Sequence, residues 1–261
     1  MGSEVFKASH EEGPIDLGLH TRRLEQVRKR LVWILMAALV TALLVYPFID
    51  RVIDFLERPL AGTGSSLAFY RPAEALVAKI KLTFFTSIFL TMPFTFYQLR
   101  KVVSPWFSYR ASRYSALALV AAIFLFYLGA ILCVIWILPI SLQFLIGYGG
   151  DQLKPFLSVD RYFTLCAILT LAFGTMFELP LILLFLELVG LMNSAKLAKN
   201  RGYAILSIAI ASALITPTPD AYTMLLLTLP VIVLFEVSIW LVWLMERRRE
   251  NGRKISHSRM D

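Results

Sequence analysis

The chain has 261 residues, of which 58% are hydrophobic and 17% charged, with a formal net charge of +8 at pH 7 and a mean hydropathy of +0.69. A soluble domain carries about 25% charged residues and cannot bury this much apolar surface in one core. The composition therefore excludes an ordinary soluble domain and predicts an all-α membrane protein with several bilayer crossings.

Six apolar segments predict six transmembrane helices, because a crossing needs about 20 consecutive apolar residues. The segments are residues 31–49, 76–99, 114–138, 162–191, 203–215 and 222–245. The fifth has only 13 residues and would be about 20 Å long as a helix, which is less than the hydrocarbon thickness. Taken alone, this segment either crosses a locally thinned bilayer or does not cross.

Positive charges predict the orientation of the chain. With six crossings and the N-terminus inside, 19 of the 26 Lys and Arg residues fall in inner segments and 7 fall outside or near outer helix ends. Lys and Arg are enriched in cytoplasmic loops, so we expect both termini in the cytoplasm and a fifth helix that crosses. The chain then divides into a cytoplasmic tail (1–30), a six-helix membrane domain (31–245) and a basic cytoplasmic tail (246–261).

Turn and helix signals mark the outer connections. Residues 49–60 carry apolar side chains at helical spacing, which predicts a continuation of the first helix or an interfacial amphipathic helix, ended by Pro59. The glycine-rich residues 147–155 predict a flexible loop. Two prolines within residues 216–220 predict a tight reversal before the last segment.

A carboxylate lies at the middle of the fourth segment. There, a bare Glu178 side chain costs about 2.5–3.5 kcal/mol, and intramembrane acids are functional candidates by default. Pro180 frees the carbonyl of residue 176 and predicts a kink, with a polar notch beside it. Glu236 lies inward of the middle of the sixth segment, and Glu187 is close enough to the inner end of the fourth to reach the headgroups. The alternative for Glu178 and Glu236 is a structural role in helix packing.

The sequence contains no visible motif for enzymatic or cofactor chemistry. Three histidines lie in the terminal tails, and the two cysteines lie in apolar segments as small hydrophobic residues. Nucleotide-binding glycine motifs and a nucleophile elbow are missing. We therefore expect no enzymatic activity, no metal and no cofactor. Because the basic residues flank the membrane segments, we also expect no nucleic-acid partner.

Several short motifs occur in register with the six spans. They are RKRL (28–31), ERPL (57–60), PAEALVAKIKLTFF (72–85), FYLGA (126–130), FGTMFELP (173–180), TPTPD (216–220) and LFE (234–236). Together they resemble the TatC family, the multispanning subunit of the twin-arginine protein translocase, over about residues 20–245. The resemblance implies a concave six-helix bundle in which the fifth and sixth helices are short.

The resemblance also implies a function. TatC proteins receive folded cargo by its twin-arginine signal peptides at the cytoplasmic face of a prokaryotic inner membrane. They work with single-span partner subunits of the TatA and TatB type in homo- and hetero-oligomers, and the proton-motive force drives export. Matching the family motifs implies signal-peptide docking by Glu25, Gln26, Arg28, Arg30, Pro105 and Trp106; a membrane groove for partner contact at Phe177, Glu178, Pro180, Met224 and Glu236; and outer loop or turn positions at Pro59, Pro72, Glu74, Pro217 and Asp220.

The docking patch departs from the family pattern. Gln26 stands where the family has an acid, and Glu25 is one place earlier, about 100° around a helix. In the first inner loop, Trp106 replaces a glycine and Ala111 replaces a glutamate. A carboxylate is the natural bidentate partner of arginine, and a neutral amide is a weaker one.

Three interpretations follow. The chain is a diverged receptor in which Glu25, or the upstream acids Glu11, Glu12 and Asp16, compensate; or it is a TatC-like paralogue with altered signal recognition. The rival from another class is a small proton-coupled secondary transporter that uses Glu178, although the internal repeats typical of such transporters are not visible.

Overall fold

The computed structural model describes residues 17–60, 66–68, 72–103, 115–147, 156–215 and 221–257. Nearly all of them are helical. The helices are α1 (Leu17–Val45), α2 (Ile49–Glu57), α3 (Pro72–Val103), α4 (Ser115–Leu132), α5 (Leu138–Gly147), α6 (Val159–Met176), α7 (Leu179–Leu188), α8 (Ser194–Lys199), α9 (Arg201–Ile215) and α10 (Ala221–His257). A π-helical segment, Cys133–Ile137, joins α4 to α5.

Among the described residues, five helical stretches are long and apolar enough to cross a membrane. They coincide with the predicted spans one to four and six, so the hydropathy pattern located these helices, although the fourth predicted span extends three residues past the end of its helix at Leu188. The fifth predicted span corresponds to α9, a shorter apolar helix of 15 residues. A crossing by α9, which would bring the total to six, and the orientation of the termini stay predictions.

The last helix is long, whereas the resemblance implied a short one. α10 has 37 residues, and it continues through residue 246, the first of the predicted basic tail, as far as His257. Residues 246–257 contain no proline and are rich in Glu, Arg and Lys, which favour helix, so the hydrogen-bond ladder is not interrupted there.

At the end of the bundle that the charge pattern predicts to face outward, called the outer end below, α2 follows α1 after a short turn. The turn Tyr46–Phe48, which contains a proline near its start, separates the two helices. α2 buries Ile49 and Leu56 while Asp54 is exposed, as the amphipathic pattern predicted. It ends at Glu57 before the turn Arg58–Leu60, which confirms Pro59 as its end.

The all-helical prediction has one small exception. Residues Ser66–Ala68 and Phe156–Ser158 form two short strands, β1 and β2. They pair in parallel, with Ser66 opposite Phe156 and Ala68 opposite Ser158. The pair connects the two outer connections of the chain. Isolated three-residue strands carry too few alternating side chains to be detected from the sequence.

Two hydrophobic clusters form the core. The larger joins α2, α3, the π-helical segment, α5, α6 and the start of α10, and the smaller joins α7, α8, α9 and the later part of α10. Many other large apolar side chains lie on the outside. On α1, for example, Trp33 is 63% exposed and Leu43 is 71% exposed. In a bilayer these side chains contact lipid, so their exposure carries no penalty.

Candidate functional site

The fourth span is broken at its centre. α6 ends at Met176 and α7 begins at Leu179, so Phe177 and Glu178 form the junction. The amide of Glu178 donates to the carbonyl of Thr175 at 3.1 Å, one residue nearer than in a regular α-helix. Pro180 has no N–H to continue the ladder. The structure therefore confirms the kink that the proline predicted.

Glu178 is buried at this junction, with a relative exposure of 6%. Its Oε1 atom is inaccessible to solvent and accepts no hydrogen bond from the residues that the structure describes. Sequence reasoning placed the carboxyl in an open polar notch, and the structure places it between packed helices. An unsatisfied buried oxygen is destabilising by about 1–3 kcal/mol, so the arrangement is poorly explained by packing alone.

Two glycines allow the helices around Glu178 to approach closely. A Cβ atom on Gly129 of α4 would lie 2.6 Å from the Phe177 ring and 2.8 Å from the carbonyl oxygen of Phe173. A Cβ atom on Gly174 of α6 would lie 2.7 Å from the Phe126 ring. Phe126 of α4 thus packs against Gly174 of α6, and Phe177 of the junction packs against Gly129 of α4. This reciprocal contact fixes the junction that carries Glu178.

The other two acids of the membrane segments have different surroundings. Glu236 pairs with Arg201 at 3.2 Å between Oε2 and Nη2, which connects α10 to the start of α9. The charge of Glu236 is therefore compensated, and a structural role in joining the two helices accounts for the presence of this acid. Glu187 was predicted to reach the headgroups, but it is buried at 6% exposure. Its neighbours on α7, Leu183 and Leu186, belong to or pack against the smaller hydrophobic cluster.

An apolar cavity lies on the outer side of the Glu178 junction. It has a volume of about 360 Å³ and lies between α3, α4 and α6, with Val52 and Phe55 of α2 at one end. Leu171 lines the cavity, and Glu178 follows it by seven residues, about 10 Å along a helix axis. Glu178 itself does not line the cavity. The concave surface and the acid are neighbours on one helix but not parts of one pocket.

Polar contacts hold the outer end above this cavity. The Tyr162 hydroxyl donates to the carbonyl of Leu56 at 2.5 Å. Lys81 pairs with Asp160 at 2.7 Å, joining α3 to α6. Lys79 pairs with Asp50 at 2.5 Å, joining α3 to α2. These lysines therefore neutralise acids at the outer end and are not the partners of Glu178.

The predicted outer positions have local structural roles. Pro59 lies in the turn that ends α2, and Pro72 is the first residue of α3, where a missing N–H carries no penalty. Glu74 accepts a hydrogen bond from the hydroxyl of Ser158, which couples α3 to β2. Pro217 and Asp220 lie outside the described residues.

The predicted docking residues are only partly described. Glu25, Gln26 and Arg28 are exposed on α1 and accessible to a ligand. Arg30 is different, because its Nη1 donates to the carbonyl of Gln98 at 3.2 Å and so ties α1 to the inner end of α3. Pro105, Trp106 and Ala111 lie outside the described residues. Met224 is half-buried on α10, and its carbonyl accepts from the Thr228 hydroxyl.

Sequence reasoning missed three features of the site: the glycine–phenylalanine contacts, the pairing of Arg201 with Glu236, and the burial of Glu178. The first had a signal, since FYLGA and FGTMFELP each contain one glycine and at least one phenylalanine. The Arg201–Glu236 pair and the burial of Glu178 had no signal in the sequence, because both depend on which helices are neighbours.

The sequence of the chain is similar to the proteins of one known family. The family model described as Sec-independent protein translocase protein (TatC) matches residues 22–230. The TatC protein of Desulforapulum autotrophicum is 34% identical over 222 residues, covering 84% of this chain and 82% of its own length. The TatC protein of Aquifex aeolicus is 31% identical over 238 residues, covering 90% and 98% respectively.

A solved structure has the same fold. The crystal structure of the twin-arginine translocase receptor TatC in the detergent DDM superposes with a TM-score of 0.77 at 31% sequence identity. The match covers 84% of this chain and 99% of that one.

Proposed function

The chain belongs to the TatC family, and on that premise we propose that it is the multispanning receptor subunit of a twin-arginine protein translocase. It recognises the signal peptides of folded cargo proteins and assembles with single-span TatA- and TatB-type subunits in the inner membrane of a prokaryote. Both termini lie in the cytoplasm, and the proton-motive force drives export. The observation that carries the proposal is the match to a solved twin-arginine translocase receptor over 99% of its length.

Glu178 is the residue that we assign to reversible contact with a second helix. Its buried Oε1 accepts no hydrogen bond from the described residues, so the isolated subunit holds an acceptor without a donor. A polar group on an incoming helix satisfies this acceptor at bilayer depth, where water does not compete. Because the carboxyl is buried at a helix break, such a contact requires the α6–α7 junction to open.

The apolar cavity complements this acid. It is bounded by three membrane helices and by α2 at its outer end, and its lining offers apolar area to the hydrophobic part of a signal peptide or partner helix. Burial of apolar side chains there gives affinity without a fixed sequence. We therefore assign binding strength to the cavity and polar discrimination to Glu178.

Signal recognition is where this chain differs from its family. Glu25 and Gln26 are both exposed, so the carboxylate of Glu25 can replace the acid that is expected one residue later. Arg30 donates to the Gln98 carbonyl, which fixes its position and leaves its positive charge in the patch. A paralogue with altered recognition is the second candidate, and the neutral Gln26 is the observation that favours it.

Complementation separates these candidates. A strain that lacks its own TatC receives this chain with compatible partner subunits, and export of a folded reporter with an Arg-Arg signal is measured. We expect export with Arg-Arg and at least tenfold less with Lys-Lys. Glu25→Gln should weaken export, and Gln26→Glu should leave it unchanged or improve it.

Other outcomes would contradict the proposal. Equal export of both reporters would indicate altered recognition. Failure of export in a strain where the chain inserts and binds its partners would refute the receptor function. If vesicles with this chain alone accumulate a small solute in a manner that depends on Glu178, the transporter interpretation is correct.

A further inference from the structure

A second concave surface lies at the other end of the bundle from α2. It is a groove of about 320 Å³ between α8 and α10. Its lining residues are Ser194, Ala195, Ala198, Ile239, Trp240 and Trp243. None of these residues belongs to the site described above, and the proposed translocation does not use them. We call this surface the tryptophan groove.

The aromatic side chains of the groove are accessible from outside the bundle. Trp240 is 69% exposed and Trp243 is 43% exposed. Their ring centroids are 6.2 Å apart at an interplanar angle of 68°. Tryptophan side chains concentrate at the boundary between headgroups and hydrocarbon. Small residues on α8 and Ile239 on α10 leave room beside the rings for an apolar chain.

A guanidinium group lies directly beside the rings. Cζ of Arg247 is 5.0 Å from the centroid of Trp243, within the range of a cation–π contact. Stacking fixes the plane of the guanidinium but leaves its N–H donors at the edge, where they can bind a phosphate oxygen bidentately. Lys199 follows Ala195 by one turn of α8 and adds a second cation on the groove side.

The acids near the groove, Glu236 and Glu246, are each bonded to a neighbouring residue. Glu236 pairs with Arg201, and Glu246 accepts hydrogen bonds from both the amide and the hydroxyl of Ser194. No ion pair with a described residue is made by four nearby cations, namely Lys196, Lys199, Arg247 and Arg248. The Ser194 donors leave the negative charge of Glu246 in place, but the four cations outnumber it, so the groove carries an excess of positive charge beside an apolar floor.

We propose that the tryptophan groove binds an anionic phospholipid from the leaflet that the charge distribution predicts to be cytoplasmic. Arg247 and Lys199 bind the headgroup phosphate, the two tryptophans pack against the ester region, and one acyl chain follows Ile239. Charge complementarity selects an anionic lipid, since a zwitterionic headgroup brings a cation of its own to this basic surface. The bound lipid fixes α8 against α10.

Fluorescence quenching by brominated lipids tests the proposal on the full chain. Three of the five tryptophans are replaced by Trp33→Phe, Trp106→Phe and Trp136→Phe, which leaves only the groove pair. In phosphatidylcholine vesicles, brominated phosphatidylglycerol should quench at a lower mole fraction than brominated phosphatidylcholine. Each cation near an anionic surface contributes about five-fold in affinity. Arg247→Gln and Lys199→Gln should therefore each reduce the preference about five-fold.

The matched control is Arg58→Gln. Arg58 also stacks on an aromatic ring, Phe55, at 5.7 Å, but at the outer end of the bundle, so its loss should leave quenching unchanged. Equal quenching by both lipids, or a preference that Arg247→Gln leaves unchanged, would overturn the proposal. No quenching by either lipid would mean that protein, such as a second copy of the chain, covers the groove, and would overturn it as well.

A second measurement tests the proposal if the triple tryptophan variant does not fold. The unsubstituted chain in detergent is mixed with phosphatidylglycerol or phosphatidylcholine, and bound lipid is counted by native mass spectrometry. Retention of phosphatidylglycerol that Arg247→Gln lowers about five-fold supports the site; equal retention of both lipids refutes it. Neither readout depends on export, so the result stands apart from the proposed receptor function.

Discussion

Gly129→Ala should destabilise the protein although it adds a single methyl group. The new Cβ would lie 2.6 Å from the Phe177 ring and 2.8 Å from the Phe173 carbonyl oxygen. The ring can rotate, but the oxygen belongs to the backbone of α6, so α4 must move away from α6. Overpacking of this kind lowers the free energy of unfolding by about 1–3 kcal/mol. Alanine would otherwise stabilise a helix by about 0.5–1 kcal/mol relative to glycine.

The assay is equilibrium unfolding in mixed micelles, followed by circular dichroism. Gly202→Ala on α9 is the matched control, because its Cβ would meet no described atom within 4 Å; its stability should rise slightly. Gly174→Ala tests the cause, since the three atoms nearest its Cβ all belong to the Phe126 ring. Combining it with Phe126→Leu should recover part of the loss. If Gly129→Ala and Gly202→Ala have equal stability, the reciprocal contact is not a tight one and the reasoning fails.

Three further predictions use the same unfolding assay. Glu178→Leu should raise the free energy of unfolding by about 1–3 kcal/mol, because it removes an unsatisfied buried oxygen, yet it should impair export in the complementation strain; a stable and active variant would exclude a contact role. Arg201→Gln should lower the free energy of unfolding by about 1 kcal/mol, and adding Glu236→Gln should restore most of it if the two side chains interact. Tyr162→Phe should lower the free energy of unfolding by about 1–3 kcal/mol, since the carbonyl of Leu56 loses its buried donor; an unchanged value would argue against that hydrogen bond.

Proline and hydropathy signals determined much of the fold from the sequence. Apolar runs located the spans because hydrocarbon requires a helix to satisfy its own backbone groups. Pro180 located the break at Phe177 and Glu178 because a missing N–H acts only on its own chain. Pro59 ended α2 for the same local reason. Such effects need no knowledge of neighbouring helices.

The residues that contact each acid come from neighbouring helices, and no pattern in the sequence predicts which helices are neighbours. Lipid tails are as apolar as a leucine core, so hydrophobic periodicity does not distinguish a side chain facing lipid, such as Leu43, from one facing another helix. In the sequence, Glu178 and Glu236 are both single acids within apolar segments, and nothing there distinguishes their neighbours in the fold. The tertiary structure paired Glu236 with Arg201 and left an oxygen of Glu178 buried without a donor among the described residues.

The sequence alone predicted a helical membrane chain with an acid near the middle of its fourth apolar segment, beside a proline break. Only the tertiary structure showed that this acid is buried and that α4 and α6 approach closely beside it, with a phenylalanine against each glycine. Close approach is a property of two surfaces together, and a linear pattern describes each surface separately.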